Sequence, residues 1–256
     1  MAFDHILYDR DGDVVTITMN RPSKRNALSL DHMNELIQAF SDAGASDASG
    51  IVLAANGATF SAGHDFADMA GADLDFMRTL LTTCTRLMQT MHAVPQPVLA
   101  KVHALATAAG CQLVANADLA IAADSAGFAT PGGKGGWFCH TPMVAVARAV
   151  GRKRALELGM SGDVIDASTA AQWGLVNRVV PPAELDQACA DLLARVTRGS
   201  RSSKGAGKHG FYRQIDLPEA QAYDYAVELM AATSQTPDAQ EGMAAFLEKR
   251  PPKFGS

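Results

Sequence analysis

The sequence predicts an α/β fold in which strand, glycine-rich loop and helix recur, in the manner of parallel α/β units. Three observations carry this prediction. Short apolar runs bounded by small or polar residues, such as "GIVLAA" (50–55) and "DLAIAAD" (118–124), read as buried strands. Between them lie segments with apolar residues at helical spacing, as in Leu30, Met33, Leu36, Ile37 and Phe40. Glycine- and alanine-rich turns, "NGATFSAGHDFADM" (56–69) and "ATAAG" (106–110), connect the two kinds of element.

In chain order, "HILYDRDGDVVTITMN" (5–20) holds two β-rich runs around Asp11-Gly12, which is a hairpin signal. After the loop "RPSKRNA" (21–27), the Ser29 hydroxyl is suited to cap the first helix. Strand 50–55 leads through the glycine-rich loop into a short helix, and Leu74 to Met91 reads as a longer one. "PQPVLAKV" (95–102) is a further buried strand, followed by the small-residue helix "ATAAGCQLVA" (106–115). "DLAIAAD" and "GFATP" (127–131) are short strands. Past Val180 the texture becomes helical, with Leu185, Ala188, Cys189, Leu192, Leu193 and Val196 on one stripe. Two more helical segments follow, and the last has Thr236 as cap and Pro237 in its first position. No linker separates this end, so the expectation is one domain with a core over 1–195 and a helical region over 196–256.

Composition narrows the function classes. With 48% hydrophobic residues the chain can bury a full core without staples. A net charge of −5 with no basic block argues against nucleic acid as a partner. Lys101, His103, Gln112, Asn116, Asp118 and Asp124 interrupt the Ala- and Val-rich stretch from 93 to 131, which excludes a membrane span there. Cys84, Cys111, Cys139 and Cys189 form no CxxC pair, so neither a metal site nor a disulfide framework is indicated. The start "MAFDHILYDRDG" carries acidic residues and no long apolar run, so no signal peptide is expected and the predicted location is cytoplasmic.

The small-residue turns bear on chemistry. A helix start leaves main-chain N–H groups unpaired, and a turn stripped of side chains lets a ligand oxygen reach them. "SAGHD" and "ATAAG" are two such turns. Converging on one oxygen they would stabilise an enolate or a tetrahedral intermediate, each donor contributing about 3–4 kcal/mol. The same residues also suit a helix that packs tightly, and spacing alone does not choose between the two readings.

Several ordered motifs resemble the crotonase family, the enoyl-CoA hydratases and isomerases: "FSAGHDFADM", "VHALATAAGCQLVANADLAIAAD", "FATPG" and the ending "FLEKRPPKF". The resemblance runs from about Ile6 to Phe254. It implies a spiral of ββα units, with a C-terminal helical region that assembles homotrimers or dimers of trimers. It also implies an acyl-CoA ligand, with coenzyme A entering as part of the substrate and no tightly bound cofactor. By position in the motifs, the main-chain N–H groups of His64 and Ala109 would hold the thioester carbonyl. The His64 side chain would be bonded to solvent or to a neighbour. Ala62, Asp65, Phe66 and Ala67 would line the CoA arm, although Asp65 also fits a helix cap. Lys24 and Arg25 would meet the phosphates, and Ala27 the adenine side. Phe246 and Lys249 match family residues that reach CoA from the tail, frequently a neighbouring subunit's.

The same resemblance exposes a gap. Hydration needs two proton-exchanging groups, and family hydratases use two glutamates. Here those places are Gln112 and Gly132. Three residues on from Ala109, Gln112 should share a helix face with it and look into the acyl site. An amide binds water and does not take its proton, so hydration should be weak, and Gln112→Glu with Gly132→Glu would be the restoring pair. His140 lies eight residues past Gly132 and is a candidate proton carrier, with a helix-start role as its alternative. The reactions this leaves are slow hydration, double-bond migration and thioester hydrolysis, with a non-catalytic acyl-CoA binder as the rival from another class.

Overall fold

A computed structural model describes residues 3–255. The first six elements begin with the hairpin β1 (Ile6–Asp11) and β2 (Val14–Met19), paired antiparallel in full register across the two-residue turn Gly12-Asp13, one residue on from the expected Asp11-Gly12. Helix α1 (Leu30–Ala45) starts where the Ser29 side chain accepts the His32 N–H, as the capping pattern predicts. Then come β3 (Gly50–Ala55), β4 (Thr59–Ser61) and a single helical turn, α2 (Phe66–Met69).

The next stretch repeats one arrangement. Helix α3 (Leu74–Ala93) leads to β5 (Val98–Val102), β6 (Leu105–Thr107) and α4 (Ala109–Asn116); β7 (Leu119–Ala123) and β8 (Gly127–Ala129) follow. β3, β5 and β7 enter a six-stranded sheet of order β1-β2-β3-β5-β7-β10, mostly parallel. Their successors β4, β6 and β8 enter a second, four-stranded sheet. Each turn of the chain thus gives one strand to each sheet before its helix, which is a spiral of ββα units.

The remaining elements close the body. Helices α5 (His140–Val150) and α6 (Arg152–Ser161) precede β9 (Ile165–Asp166), which pairs antiparallel with β8. Helix α7 (Ala167–Trp173) leads to β10 (Arg178–Val180), at the edge of the large sheet. The central strands β3 and β7 are buried on both faces, which is why they read as unbroken apolar runs. Ile51 and Leu53 face the main core, whereas Val52 and Ala54 face Leu185, Cys189, Leu192 and Leu193 of α8 (Leu185–Val196).

The C-terminal helices are α9 (Arg201–Gln214), α10 (Glu219–Thr233) and α11 (Pro237–Leu247), the last capped by Thr236 as its sequence indicates. A largely buried polar cluster ties α9 to the core. Lys208 Nζ lies 2.7 Å from Asp118 Oδ2 and also donates to the carbonyls of Met91 and Gln96. The Tyr212 hydroxyl donates to Asp118 Oδ1 at 2.7 Å, and the Val98 N–H to Oδ2 at 2.6 Å. Burial lowers the Lys208 pKa and raises that of Tyr212. Lys208→Met leaves the largely buried Asp118 without its counter-ion but with the Val98 and Tyr212 donors, so it should cost about 3 kcal/mol of stability. Urea unfolding measures this; a loss below about 1 kcal/mol would show that α9 is held by packing instead.

Candidate active site

The site begins at a turn that the sequence specifies twice over. Asn26, buried and left-handed (φ 51°), donates through Nδ2 to the carbonyls of Asn56 and Thr59 and accepts from the Arg21 N–H. Asparagine tolerates that conformation because its short amide bonds locally. The loop 21–28 is thereby laid along the "SAGHD" turn. The Leu28 N–H donates to the Gly63 carbonyl (2.7 Å), the Ala62 N–H to Arg25 (3.0 Å) and the Asp65 N–H to Leu28 (3.1 Å). Arg21 closes the arrangement with an ion pair to Asp65 at 3.2 Å and a bond to the Ala27 carbonyl. Arg21 and Asn26 are not evident from the motifs; their signal in the sequence is an Asn inside the loop "RPSKRNA".

A second turn meets this one. Gly63 has φ 90°, and a Cβ there would sit 2.8 Å from the Ala108 Cβ and 3.2 Å from the Ala109 main-chain nitrogen. Only glycine fits. Leu28 bonds on either side of His64, through Gly63 O and Asp65 N, so the His64 N–H is left out of that pairing. Among the described residues neither the His64 nor the Ala109 N–H has a hydrogen-bond partner. Ala109 is the first residue of α4, where an unpaired N–H and the positive end of the helix coincide.

Between these turns Ala108 takes φ 49°, ψ −118°, a conformation that disfavours any side chain. Such a residue stores about 1–3 kcal/mol. Ala108→Gly should raise stability by about 1 kcal/mol, the rest being offset by glycine's larger unfolded-state entropy. The midpoint of chemical denaturation reads it, and an unchanged or lower midpoint would show that no strain is stored.

The turns open on a cavity of about 600 Å³, lined by Ala62, His64, Phe66, Thr107, Ala108 and Gly132, with Cys139 and His140 among its further residues. His64 is only 9% exposed, and its Nε2 is buried without a hydrogen-bond partner. Nε2 is thus bonded to neither solvent nor a neighbour, because the turn buries it beside the cavity. Burial lowers its pKa to about 4, so the ring is neutral at pH 7. His140 is the first residue of α5, exposed and without a hydrogen bond to its ring; its nearest ring neighbour is Phe138, at 5.2 Å. The Cys139 thiol, raised by burial, accepts the Gly132 N–H at 3.3 Å. Burial pushes the Cys84 and Cys111 thiols up to about 12, in keeping with inert cysteines.

Several expected residues lie elsewhere. Gln112 is 4% exposed and lines a different cavity of about 740 Å³, with His92, Asn116 and Tyr212; its Oε1 lies 3.8 Å from Cys84 Sγ. Among the described residues only Thr141 borders both cavities. Ala109 and Gln112 do share a helix face, but the Ala109 N–H points along the helix axis while the Gln112 side chain projects sideways. A Cβ on Gly132 would approach the Trp137 carbonyl to 2.2 Å and Cys139 Sγ to 2.8 Å. Glutamate does not fit there, so the restoring pair Gln112→Glu with Gly132→Glu fails on steric grounds.

Asp65 is the cap of α2, accepting the Ala67 N–H at 3.1 Å, and Ala67 does not line the cavity. Phe66 is 73% exposed at the cavity mouth. Lys24 and Arg25 are exposed on the neighbouring loop, with Ala27 buried below them. Phe246, 83% exposed, and Lys249 sit at the end of α11 and do not line this cavity within the chain.

Comparison with known proteins gives the lineage. Residues 9–256 match the family model described as enoyl-CoA hydratase/isomerase. The rat enoyl-CoA hydratase domain-containing protein 3, mitochondrial, is 40% identical over 245 residues, spanning 95% of this chain and 81% of that protein. Its human counterpart is 41% identical over 238 residues, spanning 92% and 78%. The crystal structure of an enoyl-CoA hydratase from Mycobacterium smegmatis superposes with a TM-score of 0.95 at 42% identity, covering 99% of this chain and all of that one. The expected cytoplasmic location does not stand, since the rat and human relatives are named as mitochondrial proteins. The fold, the motifs and these matches together place the chain in the enoyl-CoA hydratase/isomerase family.

Proposed function

We propose that the chain binds an acyl-CoA thioester with its carbonyl oxygen between the His64 and Ala109 N–H groups and moves a double bond along the acyl chain. The observation that supports this reading is the meeting, beside the cavity, of two turns whose main-chain donors are unpaired. Such donors stabilise the negative charge that develops when a proton leaves carbon 2 of a thioester. Hydration asks for a second proton carrier near carbon 3, and neither Gln112 nor Gly132 supplies one. Migration of a double bond needs one base only. His140 takes a proton from carbon 2 of a 3-enoyl thioester, and the charge passes to the thioester oxygen. The double bond shifts to carbons 2 and 3, and the imidazolium returns its proton to carbon 4.

Coenzyme A enters with the substrate, its arm along Ala62 and Phe66 and its phosphates near Lys24 and Arg25. Phe246 and Lys249 would reach the site from a second copy in a homotrimer or a dimer of trimers. The test is to offer 3-enoyl-CoA and 2-enoyl-CoA in parallel. The reading expects 3-enoyl-CoA to become its conjugated isomer, with hydration of crotonyl-CoA far slower. Fast hydration would overturn it, and tight binding with no turnover of either would favour the non-catalytic binder.

A further inference from the structure

The mechanism above uses the main chain of His64 and leaves its ring without a role. The residue is 9% exposed beside the cavity, and its Nε2 is buried without a hydrogen-bond partner. Nitrogen buried without a partner is costly, so the ring is held in place by the turn at the expense of stability. The Leu28 bonds to Gly63 and Asp65 fix the backbone on both sides of it. Nε2 is the ring nitrogen sealed from solvent, which leaves Nδ1 as the one able to find a partner in a ligand. In a histidine with gauche χ1, Nδ1 lies on the same side as the main-chain N–H, and the two donors can then converge on one oxygen.

Building on the carbonyl site proposed above, we propose that the His64 ring is a third donor, giving its Nδ1–H to the same thioester oxygen as the two main-chain N–H groups. A neutral imidazole suits this task, because it donates a hydrogen bond without leaving an uncompensated cation in a closed site. The ring neither takes nor gives up its proton during the reaction; it polarises the carbonyl and steadies the enolate. Its chemistry replaces part of the electrophilic pull that the carbonyl would otherwise draw from two amides alone.

The experiment uses the full-length protein and butyryl-CoA labelled with carbon-13 at the carbonyl, read by difference infrared spectroscopy. The proposal expects the bound carbonyl band to lie well below its position in water for the native protein. His64→Leu, which keeps the main-chain N–H, should move the band back part of the way. It should also lower kcat for 3-enoyl-CoA by about 10²–10³-fold with a much smaller change in KM. His64→Asn places an amide near the Nδ1 position and should recover much of the shift, whereas His64→Gln, which mimics Nε2, should not. A Leu variant with the native band, or rescue by Gln equal to that by Asn, overturns the proposal while the two-amide site stands. A native protein that leaves the band where water does overturns both.

Discussion

His140→Gln is expected to slow the conversion of a 3-enoyl-CoA to its 2-enoyl isomer by about 10²–10⁴-fold, the usual contribution of a positioned acid–base group. The loss should fall on kcat, since the thioester would still be gripped by main-chain amides that the substitution does not touch. The imidazole is free to act because it carries no hydrogen bond and lies on the wall of the cavity shared with His64. Of the other titratable side chains on that wall, Lys134 is ion-paired with Asp163, Cys139 is raised by burial, and His64 is too weak a base at neutral pH. The rise in absorbance of the conjugated thioester follows the reaction directly. A variant with the native rate would show that the proton is carried by another group.

Acidification should destabilise the fold by several kcal/mol between about pH 6.5 and pH 4. Two buried histidines are responsible. His32 is fully buried, with Nδ1 3.1 Å from the Ala27 carbonyl, and burial holds its pKa at about 4 against an ordinary 6.5. His64 is lowered to about 4 by the same cause. Because the unfolded chain binds protons more readily at these sites, stability rises with pH across this window and is complete above about 6.5. As pH falls toward 4 each ring withdraws about 3 kcal/mol, since the folded state holds it neutral. Urea midpoints measured from pH 7.5 to pH 4 check the slope, and His32→Gln should flatten it by roughly half. A pH-independent midpoint over that range would contradict the burial of both rings.

Much of this architecture can be read from the chain because its signals are local. The hairpin around Asp11-Gly12, the Ser29 and Thr236 caps and the apolar run of β3 each follow from turn chemistry or periodicity, and each is present. Of the second sheet only β8 is legible, in "GFATP"; β4 and β6 are three residues long and β9 is two, too short for any period to register. At the site, the two small-residue turns stand out in sequence, but their convergence depends on Gly63 touching Ala108 across a long sequence gap. The direction of Gln112 and the closed cradle around Gly132 are set by packing from α3 and from the 137–139 segment, which no spacing rule reports. His64 shows the same limit. Its main chain is legible from the motif, whereas the isolation of its Nε2 appears only once the turn is folded.

The most direct measurement is a crystal structure of the protein with butyryl-CoA bound. The thioester oxygen should lie about 2.7–3.1 Å from the main-chain nitrogens of both His64 and Ala109. An oxygen bonded to neither, with both amides turned to solvent or to other groups, would contradict the account.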